Sequence, residues 1–314
     1  KKKKKKKKDG SLMMIRIHSV SRLFLSLGMA VVLSACGGEV VVEPERYVAI
    51  DSAVEQIKGN VAGSDVFNEV ADIDHSRLAH EADSPMPPAR VLIFSDPELE
   101  TQLIRMNPLT ALELPLRVLA FESEVGADAS ITYNSFDYLV SRYQLDLQES
   151  DSLRERYDRD IALVSSGLSK EAMYSFATDE MQPDGIITIE SPFAFEETLQ
   201  RVNTAIDAQD DTVHFGVVDF QANARALGQT IPRSHMILFG GPGPGGKAMA
   251  NASTLGLDGF CQKFLIWQDP QGRTFLSFND LLALADRQGV SKSLALRVIN
   301  FRLHRTFSEA LTKG

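Results

Sequence analysis

Apolar positions recur along this chain in two matching stripes. Ile50, Val54, Ile57 and Val61 are spaced by four, three and four, and Phe195, Leu199, Val202 and Ile206 repeat that spacing 145 residues later. Such spacing lays one apolar face along a helix. The same shift places Val91-Leu92-Ile93-Phe94 on Met236-Ile237-Leu238-Phe239, and Ile131-Thr132-Tyr133-Asn134 on Leu276-Ser277-Phe278-Asn279. Both pairs of runs predict strands. Identities fall at the same shift: Asp74 and Asp219, Phe94 and Phe239, Pro97 and Pro242, Leu112 and Leu257, Asn134 and Asn279, Arg142 and Arg287. A shared stripe, shared strands and shared single residues, with no gap, point to duplication of one domain. A period this long means two globular copies, not a solenoid.

The second copy reads most clearly. Strands are predicted at Gly185 to Glu190, Val213 to Asp219 and Met236 to Gly240. Helices are predicted at Pro192 to Ala208, after Asp219 as far as Gly228, and at Gly246 to Leu255. Lys263 to Trp267 and Arg273 to Phe278 flank the turn sequence Asp269-Pro270-Gln271-Gly272, which predicts a hairpin. Asn279 then caps a last helix. The order βαβαβαββα belongs to an α+β domain, a small mixed sheet covered on one face by helices. Between the copies, Leu153, Tyr157, Ile161, Val164 and Leu168 recur at helical spacing amid mixed charge, with Gly167 as a stop. This predicts a helical connector packed on a domain. After the second copy, Ser291 opens a helix with Leu294, Val298 and Phe301 on one stripe and Arg297, Arg302, His304 and Arg305 clustered on it. A solvated basic face is the plain reading; lipid headgroups or an acidic partner are the alternatives.

The N-terminus supplies an address. Arg16 and Arg22 precede an apolar run from Leu23 to Leu33, too short for the roughly 20 residues a bilayer span needs. Leu33-Ser34-Ala35-Cys36 follows and resembles the lipobox of bacterial lipoproteins. The resemblance implies cleavage before Cys36, a diacylglyceryl thioether on its sulfur and acylation of the new amino group, with palmitate as the kind of chain carried. Two or more chains hold a protein firmly at a membrane. Gly37, in place of the Asp that favours inner-membrane retention in that pattern, points to the outer membrane facing the periplasm. Lys1 to Lys8 read as a tag or mis-called start, with Met13 or Met14 as the natural beginning. The expected organisation is therefore 1–12 tag or mis-called start, 13–35 lipoprotein signal peptide, 40–145 first copy, 146–183 connector, 184–290 second, divergent copy, and 291–314 C-terminal helix.

Charge narrows the partners. The chain carries −9 overall, and its first 35 residues hold eight lysines, two arginines and one aspartate, so the remainder carries −18. An acidic surface repels phosphate backbones and argues against nucleic acid. With Cys36 lipidated, Cys261 stands alone, beside the strand Phe264 to Trp267, and reads as a buried small hydrophobe. No Cys-x-x-Cys or His-x-x-x-His pair exists, so neither a metal nor a cofactor is expected.

Ile73-Asp74-His75, Leu92-Ile93-Phe94, Asn107-Pro108, Leu114-Pro115-Leu116 and Tyr133-Asn134 occur in that order in the first copy. Together they resemble the family catalogued as domain of unknown function 302. The second copy is a degraded match: Phe220 stands where His75 would be, and the Asn-Pro and Leu-Pro-Leu elements are missing. The resemblance implies a compact α+β domain, often self-associating, with no settled activity.

Candidate chemistry is sparse. Asp74-His75 could tune a general base, although neighbours on a strand point to opposite faces; a capping Asp and a structural His are the plainer roles. Gly241 to Gly246 followed by Lys247-Ala248 nearly spells a phosphate-binding loop. Ala248 lacks the hydroxyl, and Pro242 and Pro244 remove backbone donors, so a strand-to-helix loop with positive φ is the better reading. Tyr133-Asn134 and Phe278-Asn279 read as helix caps, and Trp267 as packing or a pocket wall. The expected function is a non-catalytic module at the envelope, with Asp74, His75, Asn107, Tyr133, Asn134 and Trp267 as ligand-binding candidates and a small-molecule or periplasmic protein partner. Two alternatives stand beside it: an enzyme using His75 with Asn107 and Tyr133, and a structural pseudo-dimer within one chain. Convergence of His75, Asn107 and Tyr133 in one cleft would favour the enzyme; a flat, dry junction between the copies would favour the pseudo-dimer.

Overall fold

The stripe Ile50, Val54, Ile57 and Val61 lies along the buried face of helix α1, Val48–Ala62. The computed structural model describes residues 46–178 and 184–312; the lysine run, the stretch expected to be a signal peptide and Cys36 lie outside the described residues. After α1 come β1 (Asn68–Asp74), α2 (His75–Glu81), β2 (Ala89–Ser95), α3 (Pro97–Met106) and a 3₁₀ turn at Pro108–Glu113. Then follow β3 (Leu116–Phe121), β4 (Ser130–Tyr133), α4 (Phe136–Tyr143), α5 (Leu147–Val164) and the short β5 (Met173–Ser175). The second half repeats the plan with β6 (Ile186–Ser191), α6 (Phe195–Asp207), β7 (Val213–Asp219), α7 (Phe220–Ala226), β8 (Ser234–Gly240) and α8 (Pro242–Met249). A 3₁₀ turn at Ser253–Gly256, β9 (Gln262–Gln268), β10 (Thr274–Asn279), α9 (Leu281–Arg287) and α10 (Leu294–Thr312) complete it. The chain is thus mixed α and β in two tandem copies.

Each copy builds a five-stranded sheet, ordered β1-β2-β3-β4-β5 and β6-β10-β9-β8-β7. Pairings are antiparallel except β4 with β5. The duplication extends to irregularities: the register slips between Glu69 and Ala71 in β1 and between His214 and Gly216 in β7, at the same 145-residue offset. Strand β3 is buried at every position, where a sheet wet on one face would alternate. Its two faces have different covers. Helix α1 lies against β2 and β3 on one side, and the 3₁₀ turn Ser253–Gly256 of the other copy packs on the same strands. Reciprocally, the turn Pro108–Glu113 packs on β8, β9 and β10, while α2 meets α8 and α3 meets α7. Each copy therefore gives the other the same elements, the arrangement of a two-fold dimer within one chain.

Three local expectations are corrected. The helix expected at Gly246 to Leu255 instead begins at Pro242 and ends at Met249, because a proline in the first turn forfeits no helical hydrogen bond. Neither Asn134 nor Asn279 caps a helix: Ser135 accepts from Tyr138 N, and Asp280 accepts from Leu282 N and Ala283 N. Both asparagines are buried instead. In α10 the stripe Leu294, Val298 and Phe301 faces outward, with Leu294 78% and Phe301 62% exposed. Leu296, Ile299, Leu303, Phe307 and Leu311 form the longer stripe, and that one is buried.

Candidate functional site

The residues singled out in the sequence do not meet. Asp74 caps α2, accepting from Arg77 N at 2.8 Å, and its carboxylate pairs with the Arg77 guanidinium at 2.5 Å. His75, the first residue of α2, turns inward, is 5% exposed, and its Nε2 lies 3.0 Å from the Gly256 carbonyl of the second copy. Burial pushes its pKa down to about 4, against the Gly256 bond and the Asp74 charge, so the ring is neutral and donates to that carbonyl. Asn107 accepts from Leu109 N and donates to the Tyr143 carbonyl at 3.0 Å, closing a turn. Tyr133 lines a separate cleft of about 620 Å³ with Asp158, Ile161, Ser165, Lys170 and Met173. Trp267 stacks on its cross-strand partner Phe275, centroids 4.8 Å apart, and donates to Ser277 Oγ at 3.0 Å.

The glycine-rich segment also has a packing role. None of Gly240, Gly241, Gly243, Gly245 and Gly246 has positive φ, so the expectation of a left-handed loop is corrected. A Cβ on Gly246 would lie 2.3 Å from the Ser84 carbonyl and 2.6 Å from Ala79 Cβ. Glycine there lets α8 approach α2 of the first copy. Gly256 serves likewise, since a Cβ would lie 2.9 Å from the His75 ring. Cys261, as expected, is buried, and burial pushes its thiol up to about 12.

What the fold does bring together is a buried charge network between the copies. Glu113 ends one 3₁₀ turn and Asp258 follows the other, 145 residues on. Glu113 accepts from Arg142 Nη1, from Tyr143 OH at 2.9 Å and from Arg117 Nη2 at 3.0 Å. Asn134 Nδ2 donates both to Glu113 Oε2 and to Asp258 Oδ2, each at 2.9 Å. Lys263 Nζ donates to Asp258 Oδ1 at 3.1 Å, and Arg117 Nε makes an ion-pair contact with the same oxygen at 3.2 Å, too bent for a hydrogen bond. Arg142 reaches across with Nη2 to Asn279 Oδ1 at 2.6 Å. Burial would raise the Asp258 carboxyl, but Lys263 and Arg117 outweigh it and hold the group well below the carboxylate range. Burial and Arg117 push Lys263 down as well, to about 8, which in a lysine disfavours the charged form. The network was missed in the sequence because its acids differ between copies, Glu in one and Asp in the other. Pairing by acidity rather than identity would have found it.

A second buried cluster belongs to the first copy alone. Ser95 Oγ donates to Glu100 Oε2 at 2.9 Å, while Glu100 Oε1 has no partner in the protein. Asp96 caps α3 and takes Arg156 Nε at 2.5 Å. Burial, with the Asp96 charge added, pushes Glu100 up to about 8; burial, with a hydrogen bond to Asp96, pushes Asp160 up to about 7. The positions 145 residues on from Ser95, Asp96 and Glu100 are Gly240, Gly241 and Gly245. No group of three or more metal-ligating side chains occurs among the described residues.

Comparison with known proteins agrees with the duplication. The model of the family described as "Domain of unknown function DUF302" matches twice, over residues 43–164 and 187–308. The first match ends with α5 and the second ends within α10. Among curated proteins, "Fluoride-specific ion channel FluC 1" of Brucella suis is 33% identical over 117 residues, 37% of this chain and 45% of that protein. "Fluoride-specific ion channel FluC 2" of Brucella melitensis is 33% identical over the same length, 43% of its own. The chain spans less than half the length of these curated relatives. A solved structure, an uncharacterized conserved DUF302 protein from Bacillus stearothermophilus, is 13% identical with a TM-score of 0.34, covering 40% of this chain and 95% of that one. On the paired family matches, which take in most of its length, the chain belongs to the DUF302 family and carries two copies of its domain.

Proposed function

We propose that this chain is a non-catalytic envelope module, tethered through lipid on Cys36, in which duplication supplies a dimer interface internally. The observation that supports the reading is the failure of His75, Asn107 and Tyr133 to converge, together with the network Glu113–Asn134–Asp258–Lys263 that fills the junction instead. A general base must come within hydrogen-bond reach of a substrate proton; His75 is buried and already bonded. Small-molecule or periplasmic protein binding then falls to the open cleft around Tyr133, of a size that small ligands use. The channel activity in the Brucella relatives' names is not carried over; the shared stretch is read as an accessory module common to both. Two measurements test this reading. Labelled palmitate should enter the full chain in a bacterial host and fail to enter Cys36→Ser. Native mass spectrometry of the protein released from its own envelope should show one chain, with any retained ligand lost in Tyr133→Ala. Equal labelling of both forms, or a ligand unaffected by Tyr133→Ala, would overturn it.

A further inference from the structure

The junction network does not balance. Its innermost members are Arg117, Arg142 and Lys263 against Glu113 and Asp258, three cations and two anions, each side chain 3% exposed or less. A surplus positive charge held away from water is costly unless compensated. The surplus sits toward Lys263. Among the described residues its ammonium makes one hydrogen bond, to Asp258 Oδ1, although it carries three donors. Beside it is Asn279, 6% exposed, whose Oδ1 is fixed as the acceptor by Arg142. The amide orientation is therefore set, and Nδ2 points away from Arg142 with no partner in the protein. Lys263 and Asn279 both line one hollow of about 10 Å³, bounded by Asp258 and Gln262 and closed by apolar groups that include Phe264 and Leu303. That volume holds one occupant the size of a water molecule.

We propose that this hollow binds one small monovalent anion, a halide, between the Lys263 ammonium and the Asn279 amide. Water would satisfy the two donors and leave the surplus charge. A halide ion satisfies both, and fluoride, the halide nearest to water in size, fits without displacing the walls. Asp258 is the one carboxylate on the hollow, and its oxygens already face Asn134, Lys263 and Arg117. In the first copy the equivalent of Lys263 is Val118, and Asn134 spends its amide on Glu113 and Asp258, so the site exists once.

The test is a titration of the full chain with sodium fluoride, and separately sodium chloride, against sodium gluconate at fixed ionic strength, read by melting temperature and by the ¹⁹F resonance of fluoride. The expected result is a Tm that rises with fluoride and keeps rising by a constant step per tenfold concentration once past the Kd, with the fluoride line broadened by exchange and a smaller rise, or none, with the larger chloride. Asn279→Asp puts a carboxylate in the same volume, supplies the missing charge itself and should abolish both effects. Lys263→Met removes the surplus and should do the same if the aspartate variant fails to fold. Glu100→Gln, in the distant acidic cluster, should respond like the parent. A flat wild-type titration, or equal responses in the parent and Asn279→Asp, would overturn the proposal.

Discussion

Asn134 of the first copy donates a hydrogen bond of 2.9 Å to Asp258 of the second, 124 residues away, while the same amide nitrogen donates to Glu113. One side chain thus joins the two equivalent acids of a duplicated fold. Removing either acid leaves guanidinium or ammonium charge buried without its partner. Asp258→Leu should cost about 3–5 kcal/mol, the range for breaking a buried ion pair from one side. The double variant Asp258→Leu/Lys263→Met should recover much of that. Denaturant unfolding would measure both. It should show one transition shared by the copies, since neither buries its sheet alone; two separated transitions in the wild type would contradict the interface.

Glu100 gives a pH signature. Its pKa is raised to about 8 in the fold, by burial first, from an ordinary value of 4.5. The folded state therefore binds more protons than the unfolded chain between those values. Stability is full below about pH 4.5 and falls as pH rises through about 8. The slope cannot exceed about 1.4 kcal/mol per pH unit for one proton. Glu100→Gln stays neutral at every pH, so its melting temperature should gain on the wild type between pH 5 and pH 8. No difference in slope would mean that Glu100 is solvated.

The repeat, the second sheet and most elements were legible in the sequence because they rest on local period: four-three-four stripes, β-branched runs and turn residues; the short β5, inside the stretch read as a helical connector, was not. Failures occurred where packing beyond the local stretch decides, most often against the other copy. Asn134 and Asn279 sit where a cap would, but Ser135 and Asp280, one step later, have the extended backbone a cap needs, and the asparagines turn to the junction. The α10 stripe was misread because Leu294, Val298 and Phe301 have helical spacing too; only packing shows that the Leu296 to Leu311 stripe is longer and wins. His75 looked chemical because histidine beside aspartate often is. Its partner, Gly256, is 181 residues away and leaves no local trace.

The glycine segment offers a matched pair of substitutions. In α8, a Cβ at Gly246 meets the Ser84 carbonyl at 2.3 Å, and backbone cannot swing aside. Gly246→Ala should therefore destabilise by at least the ~1–3 kcal/mol typical of overpacking. Gly243, in the same helix, finds its nearest neighbours at 3.6 Å. Gly243→Ala should be neutral or stabilise by up to about 1 kcal/mol through helix propensity. Thermal melts of the two variants test the close approach of the helices, and equal effects at Gly246 and Gly243 would contradict it.

His75→Phe, the residue the second copy carries at Phe220, separates structure from catalysis. It leaves the Gly256 carbonyl without its donor and should cost about 1–3 kcal/mol at neutral pH. It should also change the acid limb. The folded pKa is depressed to about 4 from 6.5, with burial the main cause. Unfolded chains take up this proton first as pH falls, so the histidine's contribution is whole above about pH 6.5 and is lost as pH drops through about 4. Phenylalanine cannot titrate, so the variant's stability should lose less than the wild type's over that window, which is opposite in sign to the Glu100 effect. Differential scanning calorimetry of both single variants across pH 4 to 8 resolves the two slopes. If His75→Phe instead left stability unchanged at every pH, the imidazole would be free, and the enzymatic reading built on it would regain the ground that its burial takes away.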